Sequence, residues 1–331
     1  MIEPKQSLVD NLFSPEVLQE PIRMGFGRGL LEAGHTDKSI VALCADLTSS
    51  TKMDEFAKSY PERFIEVGIA EQNLVTVAAG MALAGKIPFV SSYAAFSPGR
   101  NWEQIRTTIC LNEVGVKIVG SHAGVSVGPD GATHQMLEDL ALMRVLPGMM
   151  VVAPADSVEA SKATKALAKH PGPAYIRLAR EKSPVVTTQE SPFSLSKAQV
   201  LRSGRDATIV ACGTMVYQAL LAARQLEDEG LDVEVINAAV IKPLDVITVT
   251  ASARKTGAVV TAEEHQIAGG LGGALAEALG DHYPVPMSRV GMLDRFGESG
   301  TPDELLQHFG LSAENIATRV KEVIKRKVPK D

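Results

Sequence analysis

The sequence predicts an α/β protein built from two doubly wound domains with mostly parallel sheets. Three observations carry this. Apolar runs of strand length alternate with helix-length patterns through both halves of the chain. Residues 181–197, with two prolines and several Ser and Thr, interrupt the alternation once. The 331 residues suffice for two cores rather than one.

In the first half, strands are expected at 39–45 (S-I-V-A-L-C-A), 87–92, 114–121, 149–153 and 174–178. Such uninterrupted apolar runs suit strands buried on both faces. Between them, 72–84 (rich in Ala, Val, Leu and Met), 102–111 and 157–169 read as helices. After the break, 207–212, 232–237 and 257–262 read as strands, and the segments from Gly213-Thr214 to Glu229 and from 271 to 279 as helices. The expected division is an N-terminal arm over 1–14, a first domain over 15–185, a linker over 186–197 and a second domain over 198–331. No short-period repeat is present.

With 45% apolar and 22% charged residues, the composition is that of an ordinary globular protein. A net charge of −6 argues against nucleic acid or an acidic membrane as the main partner, while a local Arg/His cluster can still take a small anion. Cys44, Cys110 and Cys212 lie far apart in apolar runs, as buried reduced thiols of a cytoplasmic protein do, and no C-x-x-C occurs. Neither an apolar signal core nor an uncharged apolar run of 18 residues is present.

Three segments carry candidate chemistry. In Gly68-Ile-Ala-Glu71-Gln-Asn73, a carboxylate opens an apolar helix; it serves either the helix dipole or a reaction. In 120–135, His122, Asp130 and His134 fall in a long Gly-rich loop after a strand, where parallel sheets carry ligand sites. A zinc site fits that spacing poorly, and no metal ligands are assigned in this chain. In Ser91-Ser-Tyr93-Ala-Ala-Phe96, two of the scarce aromatics either fill core or stack on a flat ring.

In order and spacing these segments resemble the transketolase family: G-I-x-E-Q/H at Glu71, S-x-[FY]-x-x-F at Tyr93 and Phe96, and H-x7-D-G-x-T-H-Q at His122, Asp130 and His134. Pro21-Ile-Arg23, Ala45-Asp46-Leu-Thr-Ser-Ser50, Leu146-Pro-Gly148, Val152-Ala-Pro-Ala-Asp156 and Leu178-Ala-Arg180 follow the same pattern, so the likeness runs from Pro21 to the end. It implies a pyrimidine-binding domain and a transketolase C-terminal domain. The family's G-D-G…N motif, which holds the diphosphate of thiamine diphosphate and its Mg²⁺, does not occur. The expectation is therefore a split enzyme whose N-terminal subunit supplies that site and ligates Mg²⁺.

By the same resemblance, Glu71 contacts N1′ of the cofactor's aminopyrimidine, a task for a carboxyl held protonated by burial. Phe96 stacks on the pyrimidine with Tyr93 beside it, and Asp46 lies near the cofactor and the subunit interface. Where the family often has a third aromatic, this chain has Gly99. His122, Asp130 and His134 match substrate residues, and the imidazoles can shuttle protons. Arg23, Ser50, His122 and Arg180 match a phosphate group, for which arginine's fork is suited. Glu263-Glu-His265 and Gly269–Gly273 are expected to be structural. Self-association through the C-terminal half, as α2β2, and sugar phosphates as substrates complete the expectation. The alternatives are a relative of 1-deoxyxylulose-5-phosphate synthase, the β subunit of a 2-oxoacid dehydrogenase, and a catalytically dead partner.

Overall fold

The computed structural model describes residues 8–327. The first half runs β1 (Gln19–Pro21), α1 (Ile22–Thr36), β2 (Ile40–Cys44), α2 (Asp54–Ser59), β3 (Phe64–Glu66), α3 (Glu71–Leu83), β4 (Ile87–Tyr93), α4 (Trp102–Gln104), β5 (Lys117–Ser121), α5 (Asp139–Arg144), β6 (Met150–Val152), α6 (Ser157–Ala168), β7 (Ala174–Arg177) and β8 (Lys182–Pro184). The second half runs β9 (Gln199–Arg202), β10 (Ala207–Ala211), α7 (Met215–Asp228), β11 (Val233–Asn237), β12 (Val240–Lys242), α8 (Val246–Thr256), β13 (Val259–Gln266), α9 (Leu271–His282), β14 (Met287–Met292), α10 (Pro302–His308) and α11 (Ala313–Ile324). The helix expected at 102–111 is only briefly α-helical, since Ile105–Cys110 forms a π-helical turn.

A seven-stranded sheet has the order β12-β6-β7-β5-β4-β2-β3, and a five-stranded sheet the order β14-β13-β10-β11-β9. Within these two sheets only the edge strands β12 and β9 run antiparallel, and β1 and β8 form a separate antiparallel pair. All five residues of β2, I-V-A-L-C, are buried, as an apolar β-branched run covered on both faces must be. Helices α1 and α6 cover one face together. They approach so closely that a Cβ on Gly25 would lie 1.7 Å from the Ser157 carbonyl oxygen, so only glycine fits there.

Two features tie the halves together more closely than a linker would. β12 belongs to the second half of the chain yet pairs with β6 of the first sheet. The segment 186–197 is also pinned: the Asp156 carboxylate, which caps α6, accepts hydrogen bonds from the backbone N–H groups of Val186 (2.8 Å) and Thr187 (2.6 Å). One apolar cluster accordingly runs from Leu43 and Val90 through Val151 to Val210 and Ile236, joining both sheets. Of the expected arm, residues 1–7 lie outside the described residues. Beyond them, Leu8, Val9 and Leu12 pack on the second core.

Candidate active site

Glu71 is the first residue of α3 and is 1% exposed. Its Oε1 accepts from the Ser92 hydroxyl at 3.1 Å, and its Oε2 from Arg100 Nη1 at 2.7 Å. Asn101 Nδ2 donates to its backbone carbonyl at 2.8 Å, fixing the start of the helix against the loop after β4. A buried carboxylate needs such partners to offset its lost hydration. Burial was expected from the sequence; the guanidinium beside it was not.

That loop also carries the aromatics. Tyr93 and Phe96 lie stacked with centroids 6.0 Å apart. Tyr93 stacks on the His122 ring at 3.8 Å, and the His134 ring stands edge-on to Phe96 at 5.4 Å. The aromatics are therefore partly buried against the two imidazoles rather than part of the core. A third aromatic is sterically impossible at Gly99, where a Cβ would come 2.1 Å from the Ala95 carbonyl oxygen.

The two imidazoles are held alike. Ser121 Oγ lies 2.8 Å from His122 Nδ1, and Thr133 Oγ1 lies 2.9 Å from His134 Nδ1. Nε2 of each ring has no hydrogen bond among the described residues. Burial, reinforced by Arg23, Arg180, His134 and Lys52, pushes the His122 pKa down to about 3, so this ring is neutral at physiological pH.

A basic group lies beside His122. Arg23 donates to the Ser50 carbonyl at 2.5 Å and to the Arg180 carbonyl at 3.1 Å. Arg180 donates to the Val127 carbonyl at 2.8 Å and reaches Asp130 at 3.4 Å. The fold thus brings Arg23, Ser50, Glu71, Tyr93, Phe96, His122, Asp130, His134 and Arg180 into one connected set, at the carboxyl ends of β4, β5 and β7 and the adjoining loops. Asp46 is linked only indirectly. It is exposed at φ +58°, and its N–H bonds to Glu66 Oε1 at 2.7 Å.

Four further residues support the site that sequence reasoning did not single out for a role. Glu66 also accepts from the Gly68 N–H, joining the Asp46–Ser50 loop to the turn before Glu71. Lys52, at φ +64°, adds positive charge near His122. Gln135 Nε2 donates to the carbonyls of Val125, Gly128 and Glu298, fastening the His122–His134 loop to the second half. Arg100 is the fourth. The positive φ of Asp46, Lys52 and His122, all non-glycine, marks backbone strain gathered around this cleft. The Glu263-Glu-His265 segment holds structure instead: Glu263 accepts from the N–H groups of Leu271 and Gly272, and Glu264 from that of Ser126.

Residues 20–185 match the transketolase pyrimidine-binding domain, and residues 196–316 match the transketolase C-terminal domain. The chain belongs to the transketolase family. It is 42% identical over 308 residues to a putative transketolase C-terminal section of Methanocaldococcus jannaschii, covering 92% of this chain and 96% of that one. A 6-deoxy-6-sulfo-D-fructose transketolase subunit of a Clostridium species is 45% identical over 298 residues, covering 90% and 92%. In three dimensions, a split-gene transketolase in an inactive β4 tetramer superposes with a TM-score of 0.88 at 48% identity, covering 93% of this chain and 99% of that one. This transketolase-family chain therefore corresponds to C-terminal sections and subunits over nearly their whole length.

Proposed function

We propose that this chain is the pyrimidine-binding subunit of a thiamine-diphosphate-dependent transketolase that moves a two-carbon ketol unit between sugar phosphates. It becomes catalytic when a separate N-terminal subunit supplies the diphosphate and Mg²⁺ site, in a cytoplasmic assembly with two copies of each chain. The observation that carries the reading is the convergence of a buried acid, an aromatic pair and two imidazoles on one cleft. These residues fit an aminopyrimidine: Glu71 offers a hydrogen-bonding carboxyl group, and Phe96 and Tyr93 offer flat apolar faces. When bound, the cofactor supplies the carbanion chemistry.

The residues of this chain do the rest. Glu71 would hold a proton against the ring nitrogen of a bound aminopyrimidine. His122 and His134 present Nε2 to sugar hydroxyls and carbonyl oxygen, giving or taking protons there. Arg23, Arg180 and Lys52 attract the terminal oxyanion of the sugar. Asp130, in contact with Arg180, orients that arginine or a hydroxyl. A relative named for a sulfo-sugar supports the same chemistry for a sulfonate in place of phosphate.

The test is to assay the purified chain with a ketose phosphate donor and an aldose phosphate acceptor, alone and after co-expression with an N-terminal transketolase subunit. No turnover alone and restored ketol transfer in the complex are expected. Strong activity from the chain alone contradicts the reading.

A further inference from the structure

We propose that Arg100 is a built-in occupant of the pyrimidine side of the cleft, which a bound aminopyrimidine must displace; this rests on the reading of Glu71 and Phe96 given above. The guanidinium is a flat group with N–H donors. It lies over the Phe96 ring, 4.8 Å from the centroid, while one of its nitrogens donates to Glu71 Oε2 at 2.7 Å. Stacking on Phe96 and hydrogen bonding to Glu71 are the two contacts assigned to the aminopyrimidine. Arg100 uses both.

The local backbone explains why an arginine comes to lie there. Gly99 has no room for a side chain against the Ala95 carbonyl, so the loop offers no aromatic from that position to cover Phe96. The next residue covers it instead. Nothing else fastens the side chain: among the described residues, Glu71 is its only ion-pair partner. Half of its surface is exposed, whereas Glu71 is 1% exposed. An arginine whose head alone is engaged can swing into water, keeping its own hydration while it gives up one ion pair and one ring contact. The buried carboxylate has no such freedom, so it remains partnered at all times, by Arg100 in the isolated chain and by the ligand afterwards. The arrangement keeps an incomplete subunit from spending its buried acid on other cationic or hydrogen-bonding solutes.

The probe is 4-amino-5-hydroxymethyl-2-methylpyrimidine, which is neutral near pH 7.5, so that removing a positive charge does not itself attract it. Binding to the full-length chain is read from the fluorescence of Trp102, the single tryptophan, two residues from Arg100. Arg100→Ala and Arg100→Met are expected to bind the probe about tenfold tighter than wild type, the scale of one exposed ion pair plus one cation–π contact. Adding Glu71→Ala to either variant should abolish the gain. Circular dichroism verifies that the variants are folded, and Met keeps the apolar stem if Ala disturbs the loop. Arg100 variants that bind no more tightly than wild type, undetectable binding included, overturn the proposal. In that event, loss of wild-type binding in Glu71→Ala leaves the pyrimidine site standing and removes only Arg100 from it. A gain in the Arg100 variants that survives Glu71→Ala is binding elsewhere and overturns both.

Discussion

At His122, backbone strain, aromatic stacking and electrostatics all act on one side chain. It lies at φ +58°, stacks on Tyr93 and faces Arg23, Arg180 and Lys52. Burial first, and those cations second, hold its pKa near 3, below the unfolded value of 6.5. The folded chain thus binds fewer protons than the unfolded chain between those values. The stability linked to neutral His122 is present above pH 6.5 and is lost as pH falls toward 3. The ring signals of His122 in an NMR titration should keep their neutral-imidazole shifts from about pH 8 to about pH 5, where an unperturbed histidine titrates. A midpoint near 6.5 would show that neither burial nor the basic group acts on it. At this scale the sequence displayed residue types but not their neighbours. Tyr93, Phe96, His122 and His134 stood out because such residues are scarce here or lie in a Gly-rich loop. Arg100, Glu66 and Lys52 did not, because an isolated charged residue in a sequence most often faces solvent.

Elements show the same division. Strands β2 and β10 were legible because all five residues of each are buried and, Thr208 apart, apolar. Helix α3 was legible from its apolar run, and α6 was expected at 157–169, while its Asp156 cap emerges only in the structure. β12 was not: three residues, Val240–Lys242, carry no period, and only the edge of the first sheet gives them strand geometry. The segment 186–197 likewise has a linker's composition, and its first two residues are held by Asp156, thirty residues earlier in the chain. Next to that cap lies Glu159, whose Oε1 accepts from Asn237 Nδ2 of the second half at 2.8 Å. Burial, with the Asp156 charge adding to it, pushes the Glu159 carboxyl up to about 7 from 4.5. Here the sign is reversed. The folded chain binds the extra proton, so the stability tied to neutral Glu159 is complete below pH 4.5 and lost as pH rises through about 7. Urea unfolding of wild type and Glu159→Gln between about pH 5 and about pH 8.5 should show the variant gaining on wild type as pH rises. The relative gain should be on the order of a few kcal/mol. Parallel curves would mean that the carboxyl is already ionised in the folded chain.

For the whole molecule, two halves joined by β12, a shared core and the Gln135 and Glu264 bonds form a frame that holds one half of a reaction centre. Around the buried Glu71, Arg100 is half exposed and Ile69, two residues before it, is 74% exposed. An exposed apolar side chain next to a buried acid suits a contact surface for another chain. The sequence made the family legible, since motif order and spacing run through both halves, but it could not show how completely the second half braces the His122–His134 loop. The claim on which everything rests is that Glu71 acts on the cofactor inside a cleft completed by a second chain. Its most direct test is the rate at which the C2 proton of thiamine diphosphate exchanges with deuterated solvent, measured by quenched-flow NMR on the complex with the N-terminal subunit. Wild type should exchange fast, and a folded Glu71→Ala complex should be slower by about 10²-fold or more. Equal exchange rates in the two complexes would contradict the account.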